Sequence, residues 1–175
     1  MDSEILGWIA AHRAPWLDGV MWGLTVAGSV GAVWIAAAVG TALVDRRRRM
    51  AAWQVGLAVL LAWTVSDGVI KPLVHRARPG ARFEALQIIG SPPSSPSFPS
   101  GHASSSAAGA LMLSSAWPAA APAFWALAIG ISASRLYLGV HYPTDVVAGF
   151  LIGLLVAWFV RGGTRWRMSR GRDRR

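Results

Sequence analysis

The stretch that decides the fold is GVMWGLTVAGSVGAVWIAAAVGTALV, residues 19–44, in which 26 consecutive residues carry no charge. As an α-helix it would be about 39 Å long, which is enough to cross the roughly 30 Å hydrocarbon core of a bilayer with some tilt. Hydrophobic residues make up 54% of the chain and charged residues 14%, against about 25% charged in soluble domains. A soluble protein of this composition would expose large apolar patches, so that class is largely excluded, and so is intrinsic disorder.

Further apolar runs predict a bundle of such helices. The charge-free run at 50–66 continues in pattern to Lys71, and the uncharged run at 103–134 is divided by Pro118 and Pro122 into two antiparallel helices. The five predicted spans are 19–44, 50–71, 101–117, 122–138 and 143–160. The predicted fold is therefore all-α, a polytopic membrane helical bundle that forms a single domain, 1–175.

The N-terminal segment 1–17 does not resemble a signal peptide, because it begins with Asp2 and Glu4 and its apolar run is short. We expect a short amphipathic helix that lies at the membrane interface and is ended by Pro15. The chain has no cysteine, so disulfides and thiolate chemistry are excluded and the redox compartment is left open.

The arginines predict the orientation. Eleven of the 17 basic residues lie in two segments, four at 46–49 and seven in the tail 161–175. Five spans place both segments on one side, and the positive-inside rule makes that side cytoplasmic. A nucleic-acid-binding tail would explain only the second segment, so we expect a cytoplasmic C-terminus and no nucleic-acid partner.

The opposite, outer side carries the residues suited to chemistry. Lys71 and Arg78 supply an ammonium and a guanidinium, the two cations that best bind a phosphate. Ser100 is a natural N-cap, Gly101 allows a ligand to approach the backbone, and the N–H groups of that helix start favour an anion, toward which His102 projects.

A second group comes from the following two spans. Ser134 and Arg135 lie near the outer end of the fourth span, and His141 precedes Pro143 at the start of the fifth. Asp145 follows His141 by four residues, so its carboxylate can reach one ring nitrogen and leave the other as a nucleophile. Each signal is weak alone, and it is their order and spacing that make the combination specific.

In order, the groups are Lys71-x6-Arg78-Pro79, Pro99-Ser100-Gly101-His102 and Ser134-Arg135-x5-His141-x3-Asp145. This pattern resembles the three-part signature of the type 2 phosphatidic acid phosphatase (PAP2) superfamily of membrane lipid phosphatases. The resemblance implies a core of six helices, in which the short N-terminal helix would serve as the first.

The resemblance also implies a role for each residue. His141 would attack phosphorus and form a phosphohistidine, Asp145 would orient and activate it, and His102 would protonate the leaving group. The implied phosphate-binding residues are Lys71, Arg78, Arg135, Ser100 and Gly101. No metal and no cofactor is required, and the sequence offers no carboxylate cluster of the kind that binds divalent cations.

Other residues near these motifs permit more than one interpretation. Asp67 is read as a partner of Lys71 or Arg76. His75 and Arg76 either contact a second phosphate or anchor the headgroup region. The loop 80–98 is either a connection or a flap over the headgroup site. Its apolar residues Phe83, Leu86, Ile88 and Ile89 are expected to rest on the membrane surface.

The expected function is metal-independent hydrolysis of a lipid phosphate on the extracytoplasmic face of a bacterial plasma membrane. Undecaprenyl diphosphate is the first candidate substrate, and phosphatidate, phosphatidylglycerophosphate and other polyprenyl phosphates are alternatives. A haloperoxidase-like enzyme and a non-catalytic lipid-binding or transport protein are further hypotheses. The oligomeric state is left open.

Overall fold

A computed structural model describes residues 1–82, 88–91 and 93–172, with their side chains except at 82 and 164–172. This described part is helical and contains no strand. Its α-helices are α1 Asp2–Ala11, α2 Pro15–Gly28, α3 Ala32–Val44, α4 Arg49–Trp63, α5 Lys71–Val74, α6 Pro79–Arg82, α7 Gly101–Ala116, α8 Ala121–Tyr137 and α9 Pro143–Arg172.

Within that part, four stretches are long and apolar enough to cross a membrane: Pro15–Val44, Arg46–Ala81, Pro118–Tyr137 and Pro143–Gly163. The predicted all-helical membrane architecture is confirmed. The count of five spans and one interfacial helix stays a prediction, because α7 has only 16 residues.

Helix α7 lies at the centre of the bundle. Eleven of its residues are buried, most of them Ala, Ser or Gly, and it packs against α4, α8 and α9. Small residues at helix interfaces let backbones approach closely. Trp34 of α3 reaches the same core and donates a hydrogen bond from Nε1 to Ser106 Oγ at 3.1 Å. The start of α7, where the site lies, is thus held by helices on several sides.

Two glycines one turn apart bring α9 against α7. A Cβ at Gly149 would meet the backbone of Ser100, and a Cβ at Gly153 would meet the backbone of Ser104. At the same contact the Ser100 N–H donates to the Asp145 carbonyl at 3.0 Å. The close packing therefore places the first turn of α9 beside the first turn of α7.

The stretch 19–44, predicted as one helix, is instead broken. Helix α2 ends at Gly28, a 3₁₀ turn covers Ser29–Gly31, and α3 follows. Gly31 adopts a positive φ of 72°, a conformation that glycine takes without steric cost. Gly28 leaves room for the His102 ring, whose Cδ2 would lie 3.2 Å from a Cβ there. The break lets the last turn of α2 pack directly on the site.

The other predicted boundaries agree to different degrees. Helices α7 and α8 match 101–117 and 122–138 within one residue at each end. The second span ends differently, because a π-helical turn, Thr64–Ile70, separates α4 from α5. Helix α9 continues to Arg172, so the segment predicted as a tail from 161 is helical, and 173–175 lie outside the described residues.

Candidate active site

His141 lies in the short connection between α8 and α9 and is buried. Its Nε2 is 3.3 Å from Nη1 of Arg78, and its Nδ1 is 3.5 Å from Oδ2 of Asp145. A guanidinium can only donate hydrogen bonds, so Nε2 must accept and the ring proton belongs on Nδ1, toward Asp145. This tautomer leaves a lone pair on Nε2, which is the form a nucleophilic histidine needs.

The start of α9 fixes Asp145 for this contact. Pro143 begins the helix, and Asp145 Oδ2 accepts from the backbone N–H of Tyr142 at 2.9 Å. An acidic residue at the third helical position that reaches back in this way forms half of a capping box. The 3.5 Å separation from His141 is longer than a hydrogen bond, and such contacts often tighten when substrate binds.

Burial makes His141 a neutral group. Desolvation of the charged form, reinforced by the positive charges of Arg135 and Arg78, lowers the pKa of His141 to about 3, although Asp145 opposes the shift. The ring is therefore uncharged at neutral pH, with its one proton on Nδ1 and a lone pair on Nε2.

His102, in the first turn of α7, is oriented by a different contact. Its Nε2 lies 3.2 Å from the Thr25 carbonyl oxygen, which accepts, so Nε2 carries a proton and Nδ1 remains to exchange one. Ser100 caps the same helix, with its Oγ accepting from the Ala103 N–H at 3.4 Å. The helix start thus presents a histidine beside backbone N–H groups.

Three cations are buried close together at this end of the bundle. Lys71, Arg78 and Arg135 have exposed fractions of 4%, 8% and 5%, and lie within electrostatic range of one another. Arg135 donates from Nη1 to Thr25 Oγ1 at 3.1 Å, while its buried Nε has no hydrogen-bond partner among the described residues. Grouped buried cations are costly without a counter-charge, so this arrangement favours an anion.

Arg78 is held in place by the end of the loop 80–98. Its Nε donates to the Ser95 carbonyl at 2.8 Å and its Nη2 to the Pro96 carbonyl at 3.2 Å, while Nη1 donates to the Val140 carbonyl at 2.7 Å. This part of the loop therefore positions a cation. Ile89 donates its backbone N–H to the Leu138 carbonyl at 3.2 Å.

The apolar residues of that loop are only partly accounted for. Ile88 and Ile89 are partly buried against the segment around Leu138, a contact within the protein that the sequence did not predict, and their contact with the membrane stays a prediction. Phe83 and Leu86 lie outside the described residues, so the flap stays a prediction.

Asp67 is the counter-ion of Lys71, which was one of the two partners, Lys71 or Arg76, that the sequence suggested for it. One carboxylate oxygen accepts from the Lys71 ammonium. The other, Oδ2, is buried against Gly101 and has no hydrogen-bond partner in the described part of the chain. A Cβ at Gly101 would collide with this carboxylate. The carboxylate therefore lies between Lys71 and the start of α7, where the sequence predicts phosphate.

The PAP2 superfamily model matches residues 51–169, a range that contains every motif residue described above. The chain belongs to the PAP2 superfamily. Decaprenylphosphoryl-5-phosphoribose phosphatase of Mycolicibacterium smegmatis is 41% identical over 122 residues, which cover 70% of this chain and 65% of that protein. Undecaprenyl-diphosphatase of Sulfolobus acidocaldarius is 28% identical over 167 residues, 90% of this chain and 75% of that protein.

A solved PAP2 structure agrees with the fold. The crystal structure of a transmembrane PAP2-type phosphatidylglycerolphosphate phosphatase from Bacillus subtilis superposes with a TM-score of 0.70 at 29% identity, covering 94% of this chain and 84% of that one. The family and the named relatives confirm the predicted class of enzyme, a phosphatase, and support an integral membrane protein.

Arg76 lies in this PAP2 chain between two motif residues, and the structure gives it a place that the sequence did not predict. Its Nη1 donates to Asp145 Oδ1 at 2.6 Å and its Nη2 to Asp2 Oδ2 at 2.8 Å. It is therefore engaged by two carboxylates, which leaves it poorly placed for the predicted second phosphate. No sequence spacing signals a contact between residues so far apart in the chain.

His75 is exposed and adopts a positive φ of 49°. With Arg78 it lines a cavity of about 640 Å³ between segments 75–81 and 93–96. Of the three buried cations only Arg78 lines this cavity, which therefore offers room on the Arg78 side of the site.

Proposed function

We propose that the chain hydrolyses a membrane lipid phosphate or diphosphate through a phosphohistidine on His141. The observation that carries the proposal is the Nε2 lone pair of His141, directed at Arg78 within a group of three buried cations. A phosphoryl group bound by those cations would place its phosphorus beside the one unprotonated ring nitrogen of His141.

The reaction has two steps. Nε2 of His141 attacks phosphorus, and the bond from phosphorus to the leaving oxygen breaks. His102 enters this step as the imidazolium, with Nε2 on the Thr25 carbonyl, and transfers its Nδ1 proton to the leaving oxygen. Water then attacks the phosphohistidine while Nδ1 of His102 accepts a proton from it; the bond between phosphorus and Nε2 of His141 breaks, inorganic phosphate departs, and both histidines return to their starting states. Lys71, Arg78 and Arg135, with Ser100 and the Gly101 backbone, hold the phosphoryl oxygens and stabilise the charge of both transition states.

The mechanism draws on protein groups alone, and we propose that it needs no metal or cofactor. Among the described residues, no group of three or more His, Cys, Asp or Glu side chains is placed to hold a metal ion. The test is turnover in excess EDTA, which should equal turnover in its absence. A strict requirement for added metal would exclude the mechanism.

The substrate we propose is a polyprenyl-linked phosphate, with undecaprenyl diphosphate as the first candidate. Two relatives support this class, since the names of both specify polyprenyl lipids. The cavity beside Arg78 would accommodate a second phosphate or a sugar. Purified protein should be assayed for phosphate release from undecaprenyl diphosphate, decaprenylphosphoryl-5-phosphoribose, phosphatidylglycerophosphate and phosphatidate. Preference for either of the last two would contradict the proposed class.

The sidedness we propose is an extracytoplasmic site in a bacterial plasma membrane, with a cytoplasmic C-terminus. The Arg48 guanidinium carbon Cζ lies 3.9 Å from the centroid of the Trp117 ring. Trp117 directly follows α7, so the arginines at 46–49 lie near the end of α7 opposite Gly101. Sixteen helical residues separate the two ends by about 24 Å. Site and arginines thus lie toward opposite faces, and the positive-inside rule assigns the arginine face to the cytoplasm.

The natural absence of cysteine makes sidedness easy to test. Single substitutions Ala11→Cys and Gly163→Cys place a thiol at exposed positions near the two ends of the bundle. A membrane-impermeant maleimide should label Ala11→Cys in intact spheroplasts and Gly163→Cys only after permeabilisation. The reverse pattern would refute the orientation.

Two other functions remain as hypotheses to be tested. A haloperoxidase-like activity would appear as bromide oxidation in the presence of vanadate. A non-catalytic lipid-binding or transport protein would bind the lipid phosphate without releasing phosphate. The free lone pair of the buried, neutral His141 favours turnover over passive binding. It would serve vanadate binding equally well. What counts against a haloperoxidase, which is a soluble enzyme, is instead the four apolar stretches in the described part of the chain that are long enough to cross a membrane.

A further inference from the structure

We propose that Asp2 and Arg76 are positioning residues that hold Asp145, and through it His141, in the orientation needed for attack on phosphorus. The proposal rests on the proposed function, because it assigns Asp2 and Arg76 a role in the reaction of His141. Neither residue belongs to the three motifs of the signature.

Both carboxylate oxygens of Asp145 accept hydrogen bonds from the protein. Oδ2 faces His141 Nδ1 and accepts from the Tyr142 N–H, while Oδ1 accepts from Arg76 Nη1 at 2.6 Å. Asp145 is fully buried, and a buried carboxylate without a strong donor would be costly. A charge-assisted hydrogen bond is about twice as strong as a neutral one. Arg76 therefore supplies the strongest constraint on the rotation of this carboxylate.

Arg76 is itself held by helix α1. Its Nη2 donates to Asp2 Oδ2 at 2.8 Å, and Thr144 Oγ1 donates to the same oxygen at 2.5 Å. The guanidinium also stacks on the ring of Tyr142, 4.0 Å from its centroid. Leu6, one turn along α1, is buried against Tyr142. The first turn of α1 thus completes a chain of contacts from Asp2 through Arg76 to Asp145.

The backbone of Arg76 is fixed from the other side. Its carbonyl accepts from the Ser97 N–H at 2.8 Å, and His75 before it adopts a positive φ of 49°. Arg76 is therefore held at its backbone carbonyl, at the face of its guanidinium that stacks on Tyr142, and at both terminal nitrogens. Such preorganisation is expected of a group that orients a reactive residue.

The test compares variants of the full chain in detergent, assayed with whichever of the four panel lipids turns over fastest. We expect Arg76→Gln to lower kcat by about 10- to 100-fold, the range typical of misplaced catalytic groups. KM and the inhibition constant of inorganic phosphate should stay within about twofold, because Arg76 does not belong to the group of cations proposed to bind phosphate. Arg76→Lys should restore part of kcat, since an ammonium can still donate to Asp145.

A double-mutant cycle separates positioning from general stability. Asp2→Ala should lower kcat in the wild-type background and have little effect in Arg76→Gln, because Asp2 acts through Arg76. Glu4→Gln is the matched control: Glu4 lies on the same helix, is 81% exposed and pairs with the N-terminal amine, so kcat should not change.

Three results would overturn the proposal: wild-type kcat in Arg76→Gln, equal loss of kcat and of inhibition by inorganic phosphate, or additive effects of the two substitutions. If Asp2→Ala prevents folding, Asp2→Asn supplies the same readout. If Arg76→Gln prevents folding, Arg76→Lys supplies it as a smaller loss of kcat. His141→Ala identifies failure of the proposed function separately, because it retains activity only if His141 is not the nucleophile.

Discussion

Replacing Asp67 with Asn should make the site bind phosphate more tightly. The Asp67 carboxylate pairs with Lys71 through one oxygen and lies against Gly101 through the other. It is also within electrostatic range of Arg78 and Arg135. A phosphate drawn to the same cations must therefore displace this carboxylate or bind beside it.

The size of the effect follows from Coulomb repulsion. Two like charges at about 4 Å interact by about 4 kcal/mol at an effective dielectric constant of 20. The Asp67 side chain is 22% exposed, so water and movement of the side chain reduce that figure. We expect about 1.4 kcal/mol to remain, which corresponds to a tenfold lower inhibition constant.

The assay measures inhibition of lipid phosphate hydrolysis by inorganic phosphate in detergent. Asp67→Asn keeps the volume and the hydrogen-bonding oxygen and removes only the charge. Asp45→Asn, the same change beside the arginine block at 46–49, is the control and should leave the inhibition constant unchanged. An unchanged or higher inhibition constant in Asp67→Asn would refute the reasoning, because it would show that the carboxylate does not compete with phosphate.

Two further predictions concern proton transfer and packing. His102→Ala should lower kcat by about 10²- to 10⁴-fold for a substrate whose leaving group is a lipid alcohol, because a general acid is lost. The loss should be much smaller for an ester whose leaving group needs no proton. An equal loss for both esters would count against the role of His102 as the acid. Gly153→Val should destabilise the bundle by about 1–3 kcal/mol, because the new side chain would collide with the backbone of Ser104. The measurement is thermal unfolding in detergent. Gly162→Val is the control, since a Cβ there would have nothing within 4 Å.

Hydrophobicity and prolines predicted much of the fold. The apolar runs and Pro118 set the boundaries of α7 and α8 within a residue, because length and turn chemistry are local properties. The break at Ser29–Gly31 was missed, since the glycines there serve contacts with α4, α7 and α8 that periodicity does not report. The close packing of Gly149 and Gly153 on α7 was also not predicted, because it depends on how α7 and α9 pack against each other and not on a pattern within either helix.

The sequence likewise predicted some contacts of the candidate site and missed others. The motif spacing predicted that Lys71, Arg78 and Arg135 would meet, and the structure brings them together. It also predicted that the Asp145 carboxylate could reach a ring nitrogen of His141, and in the structure Oδ2 lies 3.5 Å from Nδ1. The contact of Asp2 with Arg76 spans 74 residues in sequence and depends on where α1 docks, which no local pattern encodes.

The proposed mechanism requires His141 to be the nucleophile, and the most direct test is to trap its phosphorylated form. The protein would be mixed with a lipid phosphate labelled at its terminal phosphorus, quenched within one turnover in alkali and mapped by mass spectrometry. We expect an alkali-stable, acid-labile phosphate on His141, absent from His141→Ala. Steady turnover with no such adduct, or with the phosphate on another residue, would contradict the account.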